Sequence, residues 1–375
     1  MLLSSLGTSI ANVGLPTFVR AFDASFQSVQ WVVLSYLLAV TALVVSAGRL
    51  GDLFGRRRLM LAGIAMFTAS SLACAAAPAL WALVVARAGQ GLGAAVMMAL
   101  TMALVGEAVP KERSGRAMGL LGTMSAIGTA LGPTLGGVLI GGFGWRAIFL
   151  VNLPLGLLAA AMAWRFLPRD RSAGEAMRFD LPGSLLLAAA LACYSLAMTL
   201  GRGHFGSGNL LLLGLAAALA TAFLVVESKS RSPLLRPALF RDRLVAAGFL
   251  ASSLATTVAM TTLVVGPFYL SGALRLDATR IGLAMSAGPL VAALAGVPAG
   301  KAVDRFGATR MTVFGLSLMA AGALLLSRIE VGHGVVGYVV SLATLTAGFA
   351  TFQAANNTAV VTGTDPRQRG VVSGL

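Results

Sequence analysis

Apolar runs of about twenty residues recur twelve times along this chain, parted by short polar or basic loops. That length is decisive. An α-helix rises about 1.5 Å per residue, and the hydrocarbon core of a bilayer is about 30 Å thick. The runs lie near 1–19, 29–49, 59–77, 80–105, 115–139, 145–167, 181–200, 208–226, 244–270, 280–300, 309–327 and 335–361. They are apolar on all sides, as helices in lipid are, whereas barrel strands alternate every second residue. Hydrophobic residues make up 57% of the chain and charged residues 11%, against about 25% charged in a soluble domain. The sequence therefore predicts an all-α polytopic membrane protein.

The basic residues orient it. Arg56, Arg57, Arg58, Lys111, Arg113, Arg116, Arg165, Arg169, Arg171 and Arg178 fall in alternate loops, as do the basic residues of 229–243, 301–310 and 367–369. With Arg49 that set holds 21 of the 28 basic residues, and the opposite loops hold Arg20, Arg146, Arg202, Arg275, Arg280 and Arg328. Lys and Arg collect on the cytoplasmic side. The first set is thus expected to face the cytoplasm, with the N-terminus there as well. The formal charge of +15 comes from these loops, and no continuous basic stripe suits nucleic acid. Cys74, Cys193, His204 and His333 do not stand at metal-ligand spacing, so no metal or cofactor is expected.

Gly48-Arg49-Leu50-Gly51-Asp52-Leu53-Phe54-Gly55 recurs as Gly300-Lys301-Ala302-Val303-Asp304-Arg305-Phe306-Gly307. Repeats of this kind mark the two halves of many secondary transporters. The division expected is a bundle over 1–168, a central insertion of two membrane helices over 169–243 and a second bundle over 244–375.

Several segments together resemble a known family. Gly48 to Arg58 is similar to the loop between the second and third spans of major facilitator transporters. Ala86 to Gly93, with Arg87 inside, resembles their fourth-span motif. Gly128 to Gly137, GTALGPTLGG, resembles the fifth-span motif of antiporters. Leu6 to Pro16 and Trp145 to Pro154 resemble motifs of the fourteen-span drug:proton antiporters. The resemblance implies the major facilitator fold, two pseudo-symmetric helical bundles with two extra central helices, in a bacterial inner membrane. It also implies fourteen spans, so the first helix and the C-terminal bundle are expected to be incomplete here, with two helices missing.

Each motif has a physical reading. Asp52 beside Arg56 and Arg57 can hold a basic loop or a helix N-terminus, a latch that opens on the inward swing as the family implies. Asp304 is its counterpart, and Gly48 and Gly55 permit a tight turn and close helix approach. The alternative is that these arginines only obey the positive-inside rule. Arg87 is the ionisable residue placed well inside a span, and a buried charge there marks a substrate contact or a proton-coupled charge, unless it snorkels to the interface. Gln90 shares its face. Gly128, Gly132 and Gly136 form one small-residue stripe, and Pro133 is expected to interrupt that helix, giving a hinge or generic packing. Gln353, Asn356 and Asn357 place three amides on one turn, lining a path or bonding between helices. Gly89-Gln90-Gly91-Leu92-Gly93-Ala94 matches a dinucleotide fingerprint but lacks the βαβ setting it needs. No P-loop is present, so ATP is not expected to drive transport.

One departure stands out. The family carries Asp where this chain has Gly7, and none of the 13 acidic residues lies mid-span. The proton site is therefore expected to be changed, supplied by the missing spans or absent, and it is the resemblance that implies a secondary transporter moving amphipathic drug-like small molecules outward in exchange for protons. Metabolite or lipid transport by the same fold, and a non-transporting sensor, stand as alternatives. An enzyme is not expected, since no triad, metal site or carboxylate pair is visible.

Overall fold

The computed structural model describes residues 1–108, 114–167, 170, 181–200, 205–229 and 243–363. Among these residues every regular element is helical, and the helices form twelve spans at the positions read from the sequence. The first span is α1 (Leu2–Val13) and α2 (Leu15–Phe22), followed by α3 (Phe26–Phe54), α4 (Arg56–Ala76), α5 (Leu80–Ala108) and α6 (Ser114–Phe143). The sixth is α7 (Ala147–Leu150) and α8 (Asn152–Phe166). Then come α9 (Leu181–Thr199), α10 (Ser207–Lys229), α11 (Arg243–Gly272), α12 (Ala278–Phe306), α13 (Ala308–Ser327) and α14 (Gly334–Gly363). Eleven spans are long and apolar enough to cross a membrane by length and composition, and α6 contributes a further apolar stretch at Ile127–Phe143.

Local chemistry sets the ends. Ser25 caps α3 by accepting from the Ser28 N–H at 3.3 Å, and Asp277 caps α12 through the Arg280 N–H at 2.9 Å. The first span breaks at Gly14, and Pro16 opens α2. The sixth breaks at Val151, shortly before Pro154. Pro133 behaves differently from the expectation, because α6 runs through it uninterrupted. Membrane helices tolerate proline where neighbouring groups re-satisfy the backbone.

The chain divides into two compact units. One comprises Met1–Gly128 and Leu139–Arg236, and the other Thr129–Val138 and Pro237–Leu375. In the first, α3 and α4 pack on α5 around Tyr36, Ile64, Phe67 and Leu100. The central pair α9 and α10 pack on each other, and α9 leans on α3, where Trp31 Nε1 donates to Thr199 Oγ1 at 3.1 Å. In the second, α14 packs on α11, α12 and α13 around Met319, Leu345 and Phe352.

The sequence repeat has a structural counterpart in each unit. Gly55 (φ 91°) and Gly307 (φ 85°) hold backbone conformations that L side chains rarely adopt, and each opens the next helix, α4 or α13. Gly63 and Gly315, at matching places in those helices, then let the following span cross closely. A Cβ on Gly63 would stand 2.6 Å from Val96 Cγ1, and one on Gly315 would stand 2.5 Å from the Phe352 amide nitrogen.

Candidate functional site

Arg87 sits on α5 with none of its surface exposed. Its Nε donates to the Val32 carbonyl at 2.9 Å and its Nη1 to the Gly7 carbonyl at 3.0 Å. Nη1 also donates to Gln90 Oε1, and Gln90 Nε2 donates to Ser71 Oγ at 2.7 Å. The guanidinium lies 4.2 Å over the Tyr36 ring, whose hydroxyl donates to the Ser4 carbonyl at 2.9 Å. One side chain thus ties spans 1, 2 and 4 together, and Gln90 extends the network to span 3. Arg87 does not snorkel. The groups that receive its hydrogen bonds are all neutral, and Nη2 is buried without a hydrogen-bond partner.

At the cytoplasmic-loop motif, the geometry singles out a residue the sequence did not. Asp170 accepts from the Arg57 N–H at 2.8 Å and from the Arg58 N–H at 3.1 Å. It caps the N-terminus of α4 from more than a hundred residues away, satisfying amides that have no partner within the helix. Arg57 Nη2 donates to the Trp164 carbonyl. Arg57, Arg58, Leu61, Trp164 and Asp170 line an open cleft of about 390 Å³. A Cβ on Gly55 would meet the Asp170 carboxylate at 2.5 Å, so glycine is required there by space as well as by φ. Gly48 lies inside α3, where a Cβ would meet nothing within 4 Å, and the close approach falls instead at Gly51, against Leu100. Arg56 also lies against Gly51. The side chain of Asp52 lies outside the described residues, and Asp304 is exposed near the end of α12.

The α6 stripe divides between the two units. A Cβ on Gly128 would stand 2.5 Å from the Leu2 carbonyl oxygen, and Ser9 Oγ donates to the Gly128 carbonyl at 3.3 Å. In the second unit, a Cβ on Gly137 would stand 2.5 Å from the Ala278 carbonyl oxygen, and the Pro133 carbonyl faces Gly282. Gly132, Pro133 and Gly136 are buried. Gly137, which closes the motif read from the sequence, and Gly282, which the sequence did not single out, make a backbone contact there.

The three amides of α14 separate. Asn356 Nδ2 donates to the Gly248 carbonyl at 3.1 Å and to Ser252 Oγ at 2.8 Å, which is bonding between helices. Ser252 Oγ donates to Gln353 Oε1 at 3.4 Å, and Asn357 is exposed. Near the other end of α11, Tyr269 and Tyr338 stack at 6.1 Å beside a cavity of about 280 Å³ also lined by Thr261, Thr262, Val265 and Leu326. Asn152 is wholly buried, with both amide atoms unbonded. Among the described residues no three His, Cys, Asp or Glu side chains gather as metal ligands.

The family model of the Major Facilitator Superfamily matches residues 1–375. The riboflavin transporter RibZ of Clostridioides difficile (strain 630) is 30% identical over 370 residues, covering 98% of this chain and 80% of that protein. The multidrug resistance protein Stp of Mycobacterium tuberculosis is 40% identical over 241 residues, covering 63% of this chain and 44% of that protein. Among solved structures, a bacterial homologue of the human lysosomal transporter Spinster, inward-facing and unoccupied, aligns with a TM-score of 0.69 at 13% identity. That alignment covers 100% of this chain and 75% of the other, and it establishes the fold alone.

Proposed function

Since the chain belongs to the major facilitator superfamily and is a multi-pass membrane transporter of small molecules, we propose that it carries amphipathic drug-like compounds out of the cell in exchange for protons. It would act as a fourteen-span drug:proton antiporter of a bacterial inner membrane, with a cytoplasmic N-terminus. The single observation that carries this reading is the 40% identity to the multidrug resistance protein Stp, sustained over 241 residues. The chemistry of the first unit supports it. Its buried interior is mostly apolar and aromatic, with Arg87 and a few neutral polar groups such as Ser4, Ser9, Asn12 and Gln90. A path lined by residues of this kind would bind by area and shape more than by a fixed set of hydrogen bonds.

In this reading the bundles over 1–168 and 244–375 alternate in access, with the insertion over 169–243 beside the first. Arg87 and Gln90 stand beside the path, as do Gln353, Asn356 and Asn357 in the second unit. Gly48, Asp52, Gly55, Arg56, Arg57 and Asp304 latch the cytoplasmic side, and Gly128, Gly132, Pro133 and Gly136 form the hinge. A gradient drives the cycle without ATP. A second reading, transport of a metabolite, is favoured by the riboflavin transporter at 30% identity over nearly the whole chain.

Everted membrane vesicles test the choice. Under an imposed proton gradient, a panel of unrelated amphipathic dyes is expected to be taken up and to dissipate the gradient. Uptake confined to riboflavin-like molecules would transfer the assignment to the metabolite reading.

A further inference from the structure

Among the described residues of the first unit, one buried charge has no counter-charge beside it. Arg87 is fully buried, and arginine keeps its proton across the accessible pH range. It faces the carbonyls of Gly7 and Val32, the amide oxygen of Gln90 and the ring of Tyr36, all of them neutral. Nη2 is buried and unpartnered. In the first unit the acidic residues with a described position are Asp23, Asp52, Glu107, Asp170 and Glu227. Asp23 ends α2, Asp52, Glu107 and Glu227 stand in the last turns of α3, α5 and α10, and Asp170 caps α4. None is placed along a span where it could compensate Arg87.

We infer that the uncompensated Arg87 makes this transporter select anionic over cationic amphiphiles. This rests on the transport reading above and names the substrate class for it. The selection acts through the field, since the guanidinium is enclosed by protein. At an effective dielectric of about 20, a unit charge about 10 Å away separates an anion from a cation by on the order of a hundredfold, and water in an open path reduces that to on the order of tenfold. The position that would cancel the charge is Gly7, whose own carbonyl touches Nη1. A Cβ there would meet the tip of the Phe67 ring at 3.0 Å and the Tyr36 hydroxyl at 3.5 Å, so a small shift of the Phe67 ring admits a Cβ.

The test uses the full chain in liposomes with the membrane potential clamped at zero. Three fluorophores of one shape carry a sulfonate, a neutral amide or a trimethylammonium group. The sulfonate dye is expected to move at least about tenfold faster than the trimethylammonium dye, with the amide between them. In Gly7→Asp the carboxylate beside Arg87 is expected to flatten or invert that order. A trimethylammonium dye that moves as fast as the sulfonate dye in the unmodified protein overturns the inference while leaving the transport reading in place. An unchanged order in folded, inserted Gly7→Asp overturns the assignment to Arg87. Movement of none of the dyes overturns the transport reading, and this inference with it.

Discussion

Replacing Gly93 by alanine tests whether the helix crossings are set by backbone contact. A Cβ at Gly93 would stand 2.6 Å from the Phe67 amide nitrogen, 2.7 Å from the Gly63 carbonyl oxygen and 2.9 Å from Phe67 Cα. All three are backbone atoms of α4, so relief requires α4 and α5 to separate. Overpacking of this kind costs about 1–3 kcal/mol. Alanine regains about 1 kcal/mol of helix propensity, which leaves a net loss of about 0–2 kcal/mol. Gly214 on α10 is the control, because a Cβ there would meet nothing within 4 Å. There alanine gains its propensity with no clash, about 0.5–1 kcal/mol. The propensity term is common to both variants, so Gly93→Ala is the less stable by the overpacking cost, about 1–3 kcal/mol. Heating each protein in detergent and measuring the monodisperse fraction that survives gives the order directly. Gly93→Ala as heat-resistant as Gly214→Ala would show that backbone contact does not set the crossing of α4 and α5.

Asp170→Ala is expected to expose the first amides of α4, a loss of about 1 kcal/mol of capping, and hydrogen exchange at Arg57 and Arg58 should quicken by several fold. Unaltered exchange there would remove Asp170 from the clamp. Asn356→Leu removes the hydrogen bonds from Nδ2 to the Gly248 carbonyl and Ser252 Oγ and is expected to destabilise the second unit by about 1–3 kcal/mol, visible as a lower denaturation midpoint. A midpoint equal to that of the unmodified protein would contradict the interhelical bond. For topology, cysteines placed at Arg58 and at Arg328 in a background lacking Cys74 and Cys193 should label from opposite sides of the membrane. Labelling of Arg58→Cys from outside intact cells would invert the orientation.

The spans were legible because bilayer thickness fixes helix length, and apolar residues report it without any partner. The breaks at Gly14 and Val151 carry a local signal in Pro16 and Pro154. Proline alone is an incomplete signal, since α6 continues through Pro133. The site was less legible. Arg87 announced itself by charge, but its partners at Gly7 and Val32 are backbone carbonyls, which any residue supplies. Asp170 stands between Arg169 and Arg171 and reads as one acid in a basic loop, while its partners lie at Arg57 and Arg58. The close approach falls at Gly51 rather than Gly48, and Gly137, one residue past the Gly128–Gly136 stripe, makes a further backbone contact. On a helix one residue is a turn of about 100°, so composition finds the stripe and only packing tells which glycine touches.

Gradient-driven export stands or falls on simultaneous measurement of substrate and proton flux by the purified protein in liposomes. An amphipathic substrate and a trapped pH dye would be followed together with no ATP present. Imposed proton entry is predicted to drive substrate the opposite way against its own gradient, and substrate added alone is predicted to move protons. Substrate movement that only runs downhill and leaves internal pH unchanged would contradict proton-coupled export.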